Sequence, residues 1–177
     1  MEGGSIDVNG RGSLLTTEEC LLDPHVQVRN PGFTRADYEG MMREALGITN
    51  VLWLGKGIAG DDTHGHVDDV ARFVNARTIV LVGEKNRGDA NHRPLEENRE
   101  RLQGMRLEDG SRPEAVSLPM PSPLVFKGQR LPASYANFYL ANGAALVPIF
   151  GAPSDARALD VLRELLPGRE IVGIRSS

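Results

Sequence analysis

The sequence predicts an α/β fold built from about three repeats of a strand–strand–helix–strand (ββαβ) unit. Three observations carry that expectation. Helix signals recur at a period of about sixty residues. Each helix signal sits behind two strand-like runs and ahead of a third. No stretch between the units has the composition of an interdomain linker, so the 177 residues are read as one domain, 1–177, with units near 1–56, 57–119 and 120–177.

In the first unit, Gly4 to Val8 and Ser13 to Thr17 read as strands joined through Asn9-Gly10, a strong hairpin-turn pair. Arg29-Asn30-Pro31 reads as a turn ahead of the first helix. Thr34 is a good N-cap with Asp37 at the third helical position, and Tyr38, Met41, Met42 and Ala45 fall on one face. Gly47 ends that helix. Val51 to Leu54 then reads as a short buried strand whose Trp53 belongs to the core.

The second unit reads as Val67–Val74, Thr78–Val82, a polar helix from about Pro94 to Leu102 with a thin apolar face, and Ala115–Leu118. The third reads as Tyr135–Leu140, Ala144–Phe150, a helix after Pro153-Ser154 carrying Ala158, Val161, Leu162 and Leu165 on one face, and Glu170–Ile174. Asn142-Gly143 marks a hairpin turn, and Ser134 and Tyr135 are candidates to line a channel. Gly83 to Arg93 and Pro119 to Pro132, the latter with four prolines, read as long polar loops.

A formal charge of -4 without a basic cluster argues against a nucleic-acid partner, which needs clustered Lys and Arg. No apolar run approaches the eighteen or so residues of a membrane span. The opening residues have neither the basic nor the apolar region of a secretion signal, so a cytoplasmic protein is expected. Cys20, the one cysteine, excludes an internal disulfide. Beside Glu18 and Glu19 it reads as a small buried hydrophobe, because neighbouring carboxylates raise rather than lower a thiol pKa.

The chemistry concentrates in GDDTHGHVDD, residues 60–69, with four carboxylates and two imidazoles. One reading is metal. His64 and His66, two apart beside carboxylates, suit a zinc or two-metal hydrolase, although Asp69 stands where that pattern wants a further histidine, and His25 and His92 complete no second shell. A second reading is acid/base work: on a strand, His66 and Asp68 would share a face, the carboxylate pairing a planar cation and the imidazole passing a proton. Gly65 would let backbone approach a ligand closely. The bland reading, a solvated turn, suits His64 better than His66.

WLGKGIAGDDTHGHVDDVARFV, residues 53–74, resembles the agmatine deiminase and bacterial peptidylarginine deiminase family of guanidine-modifying enzymes. The likeness extends to MEGGSIDVNGRGSLLTTEECLL and to RLPASYANFYLANGAALVPIFGAPSDARALDVLRELLPGREIVGI, in the family's order. It implies a pentein-type α/β propeller, of which this chain would form about three of five units. It also implies a hydrolase of C–N bonds in linear amidines, as in agmatine to N-carbamoylputrescine and ammonia, without cofactor or metal.

By that resemblance His66 is the general acid/base, and Glu2 and Asp68 hold guanidinium nitrogens or orient the base. The family's nucleophile is a cysteine in a C-terminal glycine-rich segment, and Cys20 matches a different position. The chain is therefore expected to be truncated at both ends relative to the family, and inactive alone. Two alternatives stand beside this: a non-catalytic guanidinium-binding module, self-associating as a homo-oligomer through open blade edges, and a metallo-hydrolase using THGHVDD.

Overall fold

The computed structural model describes residues 2–176. It contains three three-stranded sheets, each made the same way. In the first, β1 (Asp7–Val8) pairs antiparallel with β2 (Ser13–Thr17). A short helix α1 (Glu18–Leu22) and the longer α2 (Arg35–Leu46) then lead to β3 (Asn50–Leu54), parallel to β2. The second repeats this with β4 (Ala71–Phe73), β5 (Thr78–Gly83), α3 (His92–Gly104) and β6 (Glu114–Pro119). In the third, β7 (Val125–Phe126) and β8 (Gln129–Arg130) form a small hairpin, followed by β9 (Tyr139–Leu140), β10 (Ala144–Ile149), α4 (Asp155–Leu165) and β11 (Glu170–Arg175). The ββαβ order expected from the periodicity is thus present three times, and the sheets do not close on one another.

Local chemistry explains the element ends. Thr34 and Asp37 form a reciprocal capping box at the start of α2, and Gly47 closes the helix in the left-handed region at φ 68°. Of the face expected for α2, Tyr38 and Met42 are buried and Met41 half-buried, but Ala45, in the last turn, is exposed. The thin face of α3 works through Leu95, Asn98 and Leu102. Asn98 is buried because it bonds backbone, accepting from Gly55 N at 2.7 Å and donating to Lys56 O at 2.7 Å. Trp53 lies in the core as expected, its indole donating to Glu39 Oε1 at 2.8 Å.

The sequence expectation fails systematically at the first strand of each unit. Gly4–Val8 shrinks to Asp7–Val8 behind a 3₁₀ turn at Gly3–Ser5. Val67–Val74 shrinks to Ala71–Phe73 behind a 3₁₀ turn at Val67–Asp69. Tyr135–Leu140 shrinks to Tyr139–Leu140. The three short strands are tied together instead. Arg72 Nε donates to Asp7 Oδ1 at 2.9 Å and its Nη1 to Phe138 O at 2.8 Å, while Phe73 N donates to Asp7 Oδ2 at 2.6 Å. The segments ahead of these strands, Gly3–Ser5 and Val67–Asp69, carry or adjoin the candidate residues Glu2, His66 and Asp68. No described helix is long and apolar enough to cross a membrane.

Candidate active site

The turn at 60–66 is organised by Asp61. Its Oδ2 accepts from Gly65 N at 2.8 Å and His66 N at 3.0 Å, and its Oδ1 from Thr63 N at 2.8 Å and from the Thr63 hydroxyl. Burial pushes the Asp61 carboxyl up, but these bonds outweigh it and hold it below the usual carboxylate range. Gly65, at φ 89°, packs against the Glu19 side chain and the backbone of Gly57, where a β-carbon has no room.

His64, at φ 61°, turns outward and its Nε2 meets Asp23 Oδ2 at 3.0 Å. His66 turns the other way. It caps the 3₁₀ turn Val67–Asp69, so the strand alternation expected for His66 and Asp68 does not apply. They converge by a different route, across Gly4. A β-carbon on Gly4 would lie 2.3 Å from His66 Nδ1 and 2.9 and 3.0 Å from the two Asp68 oxygens. Glu2, immediately before the Gly3–Ser5 turn, places its Oε2 2.5 Å from His66 Nε2. The structure therefore brings Glu2, His66 and Asp68 together.

The three differ in electrostatic setting. Arg29 donates through Nε to Glu2 Oε1 and through Nη2 to Oε2, each at 3.0 Å. With His66 as second partner, that fork pulls the Glu2 carboxyl down to about 2. Glu2 is thus ionised and accepts, so the proton between the pair sits on His66 Nε2. Asp68 is the opposite case. Burial pushes its carboxyl up against the pull of His66 and Arg72, and its Oδ1 is buried without a hydrogen-bond partner among the described residues.

Two further residues lie at the candidate site without having been assigned a role there from the sequence. Asp69 is only 7% exposed, accepts from Asn137 Nδ2 at 3.0 Å, and burial pushes its carboxyl up to about 7. With His66, Asp61, Ser134 and Asn137 it lines a cavity of about 430 Å³. Cys20 is 2% exposed, as its reading as a core residue required. Yet its Sγ lies within 4.8 Å of both a Glu2 oxygen and a His66 ring nitrogen. Burial first, then the Glu2, Asp61 and Glu19 carboxylates, push that thiol up to about 11 against the pull of Arg29. The Glu2, Cys20 and His66 donors suit a soft cation by type, but the Arg29 guanidinium already holds both Glu2 oxygens.

The sequence profile of the Porphyromonas-type peptidyl-arginine deiminase family matches residues 1–177. The agmatine deiminase of Medicago truncatula is 37% identical over 197 residues, spanning 100% of this chain and 52% of that protein. A solved C. jejuni agmatine deiminase with substrate bound is 34% identical with a TM-score of 0.89, covering 99% of this chain and 50% of that one. A solved Porphyromonas gingivalis protein reaches 43% identity and a TM-score of 0.92, covering 98% of this chain and 51% of that one. The chain spans about half the length of the relatives it matches. With its pentein-type α/β units and a family profile matching throughout, the chain belongs to the Porphyromonas-type peptidyl-arginine deiminase family.

Proposed function

We propose that this chain supplies the cation-holding and proton-transfer residues of a guanidine C–N hydrolase, with agmatine as the small-molecule ligand. The observation that carries the reading is the charge imbalance at the cavity. Asp61 and Asp69, which line it, have no ion-pair partner among the described residues, and neither has Asp68, which converges with Glu2 on His66, another lining residue. A guanidinium is planar and presents paired N–H donors, so it suits the half-buried Asp68 carboxylate, whose Oδ1 has no partner among the described residues. His66, with Nε2 committed to Glu2, has Nδ1 left beside Asp68 to take or give a proton when ammonia leaves or water attacks.

The covalent step is a separate matter. The chain's one cysteine is Cys20, and a thiol pushed up to about 11 inside the core offers little thiolate at neutral pH. The 177-residue chain is therefore expected to bind agmatine without turning it over. Calorimetric titration with agmatine, paired with a ureido-product assay, tests this. Asp68→Asn is expected to weaken binding about tenfold or more, since a hydrogen bond to a charged group contributes roughly 1.5–3 kcal/mol. Product that survives Cys20→Ser would overturn the account of the covalent step, and affinity unchanged in Asp68→Asn would overturn the site.

A further inference from the structure

Arg29 comes from the connection between α1 and α2, where His25 through Val28 are all exposed, yet its own side chain is only 11% exposed. All three guanidinium nitrogens are occupied. Nε and Nη2 fork onto the two Glu2 oxygens, Nη2 also donates to Thr63 O, and Nη1 reaches Gln27 O at 3.2 Å. The same loop is anchored over the 60–66 turn by Gln27 Nε2 to Asp62 O at 2.6 Å and by Asp23 to His64 at 3.0 Å. An arginine from this chain already stands where a ligand's guanidinium would have to pair with Glu2.

We propose that Arg29 is a positioning residue for the Glu2–His66 pair: it is a resident guanidinium that ties up Glu2, so that Glu2 serves His66 and a ligand's cation is met by Asp68. Two arguments carry this. Glu2 and Arg29 together are neutral, so Glu2 offers an incoming cation little net attraction, whereas Asp68 has no cation paired to it among the described residues. Hydrogen-bond capacity points the same way. Arg29 takes one lone pair on each Glu2 oxygen and His66 takes another on Oε2, leaving no paired face for a second fork. The fork also fixes which way the carboxylate points, and that direction holds the His66 ring and its Nε2 proton.

The part concerning Arg29 is read on ligand-free protein; only its consequence for the ligand rests on the proposed function above. Histidine-selective nitrogen–proton NMR of the 177-residue chain is expected to show a downfield, slowly exchanging Nε2–H resonance for His66. Glu2→Gln and Arg29→Gln are expected to abolish it, and Arg29→Lys, which keeps the charge without the fork, to retain it in weakened form. A resonance unchanged in both Arg29 variants would overturn the proposal, since a residue that merely anchored its loop would leave the imidazole untouched. In agmatine titrations Glu2→Gln is expected to lose less affinity than Asp68→Asn; an equal loss would also overturn it. Absence of agmatine binding to the wild-type chain would sink the proposed function, and the imidazole resonance alone would then decide Arg29.

Discussion

Residues 60–69 and helix α3 are the two most densely charged stretches of the molecule's middle unit, and they handle charge in opposite ways. On α3, three glutamates alternate with three arginines. Arg93 meets Glu97 at 2.8 Å, Arg99 meets Glu96 at 2.8 Å, and Arg101 reaches Glu18 at 2.8 Å. The 60–69 stretch has four carboxylates and no Lys or Arg. Of these, Asp61 is spent on backbone N–H groups, Asp69 lines the cavity, and neither Asp68 nor Asp69 has an ion-pair partner among the described residues. A charged sequence run thus marks a solvated face where its partners lie three or four residues away, and a candidate site where the partners are missing.

The most complete expected effect, loss of stability together with loss of binding, comes from removing the space in which the site assembles. Gly4→Ala would drive a β-carbon into His66 Nδ1 and Asp68, whereas Gly3→Ala meets nothing within 4 Å. Overpacking of this kind costs about 1–3 kcal/mol. Urea unfolding is expected to show that loss for Gly4→Ala alone, together with loss of agmatine binding. Equal behaviour of the two variants would mean that the convergence over Gly4 does not hold in solution.

Asp69 sharpens the contrast through pH. Burial, reinforced by the Asp68 and Asp61 charges, raises its carboxyl to about 7 from an ordinary 3.8, against the pull of the Asn137 bond and His66. The folded protein keeps that proton up to about pH 7, while the unfolded chain releases it near pH 4. The stabilising contribution is therefore complete below about pH 4, is lost as pH rises toward 7, and stays lost above it. Asp69→Asn removes this dependence while keeping an acceptor for Asn137. Unfolding at a series of pH values is expected to show the variant gaining on wild type from pH 4 to 8 by on the order of 4 kcal/mol at most. A difference that does not change with pH would show that Asp69 is solvated rather than buried.

The repeat was legible because helix caps and apolar runs are local signals. Thr34, Asp37 and Gly47 announce α2, and the paired runs announce the later strands of each unit. The first strands misled because Val67 and Val70, and Tyr135 and Phe138, are residue types that suit a strand, while distant partners set the conformation of the segments they bound. Ser134 Oγ bonds Asp69 O at 2.7 Å, and the Tyr135 hydroxyl is held by Ser154 and Asp155. The α1 helix, capped by Thr17, was not anticipated, because five residues are too few to show periodicity. At the candidate site, His66 and Asp68 were legible through the 60–69 run and Glu2 through the family resemblance. Arg29, Cys20 and Asp69 were not, because Arg29 lies 27 positions from Glu2 and Asp69 lies 68 from Asn137, and no local pattern encodes such approaches.

The smallest effect belongs to the solvated face and tests the other half of the contrast. Arg93 is 88% exposed and Glu97 49%, and the pair runs Arg to Glu along the helix, the less favourable order relative to the helix dipole. Water screens the attraction, and ordering two long side chains opposes it, so exposed pairs of this type contribute about 0.3–0.5 kcal/mol. Glu97→Gln is expected to change urea-unfolding stability by no more than that, and raising salt should shrink even this difference. Asp69→Asn should keep most of its effect in high salt, because its charge is buried where ions penetrate poorly. If Glu97→Gln instead changed stability as much as Asp69→Asn at pH 8, the pairing seen on α3 would carry real weight. The distinction drawn from unpartnered carboxylates at 60–69 would then fail.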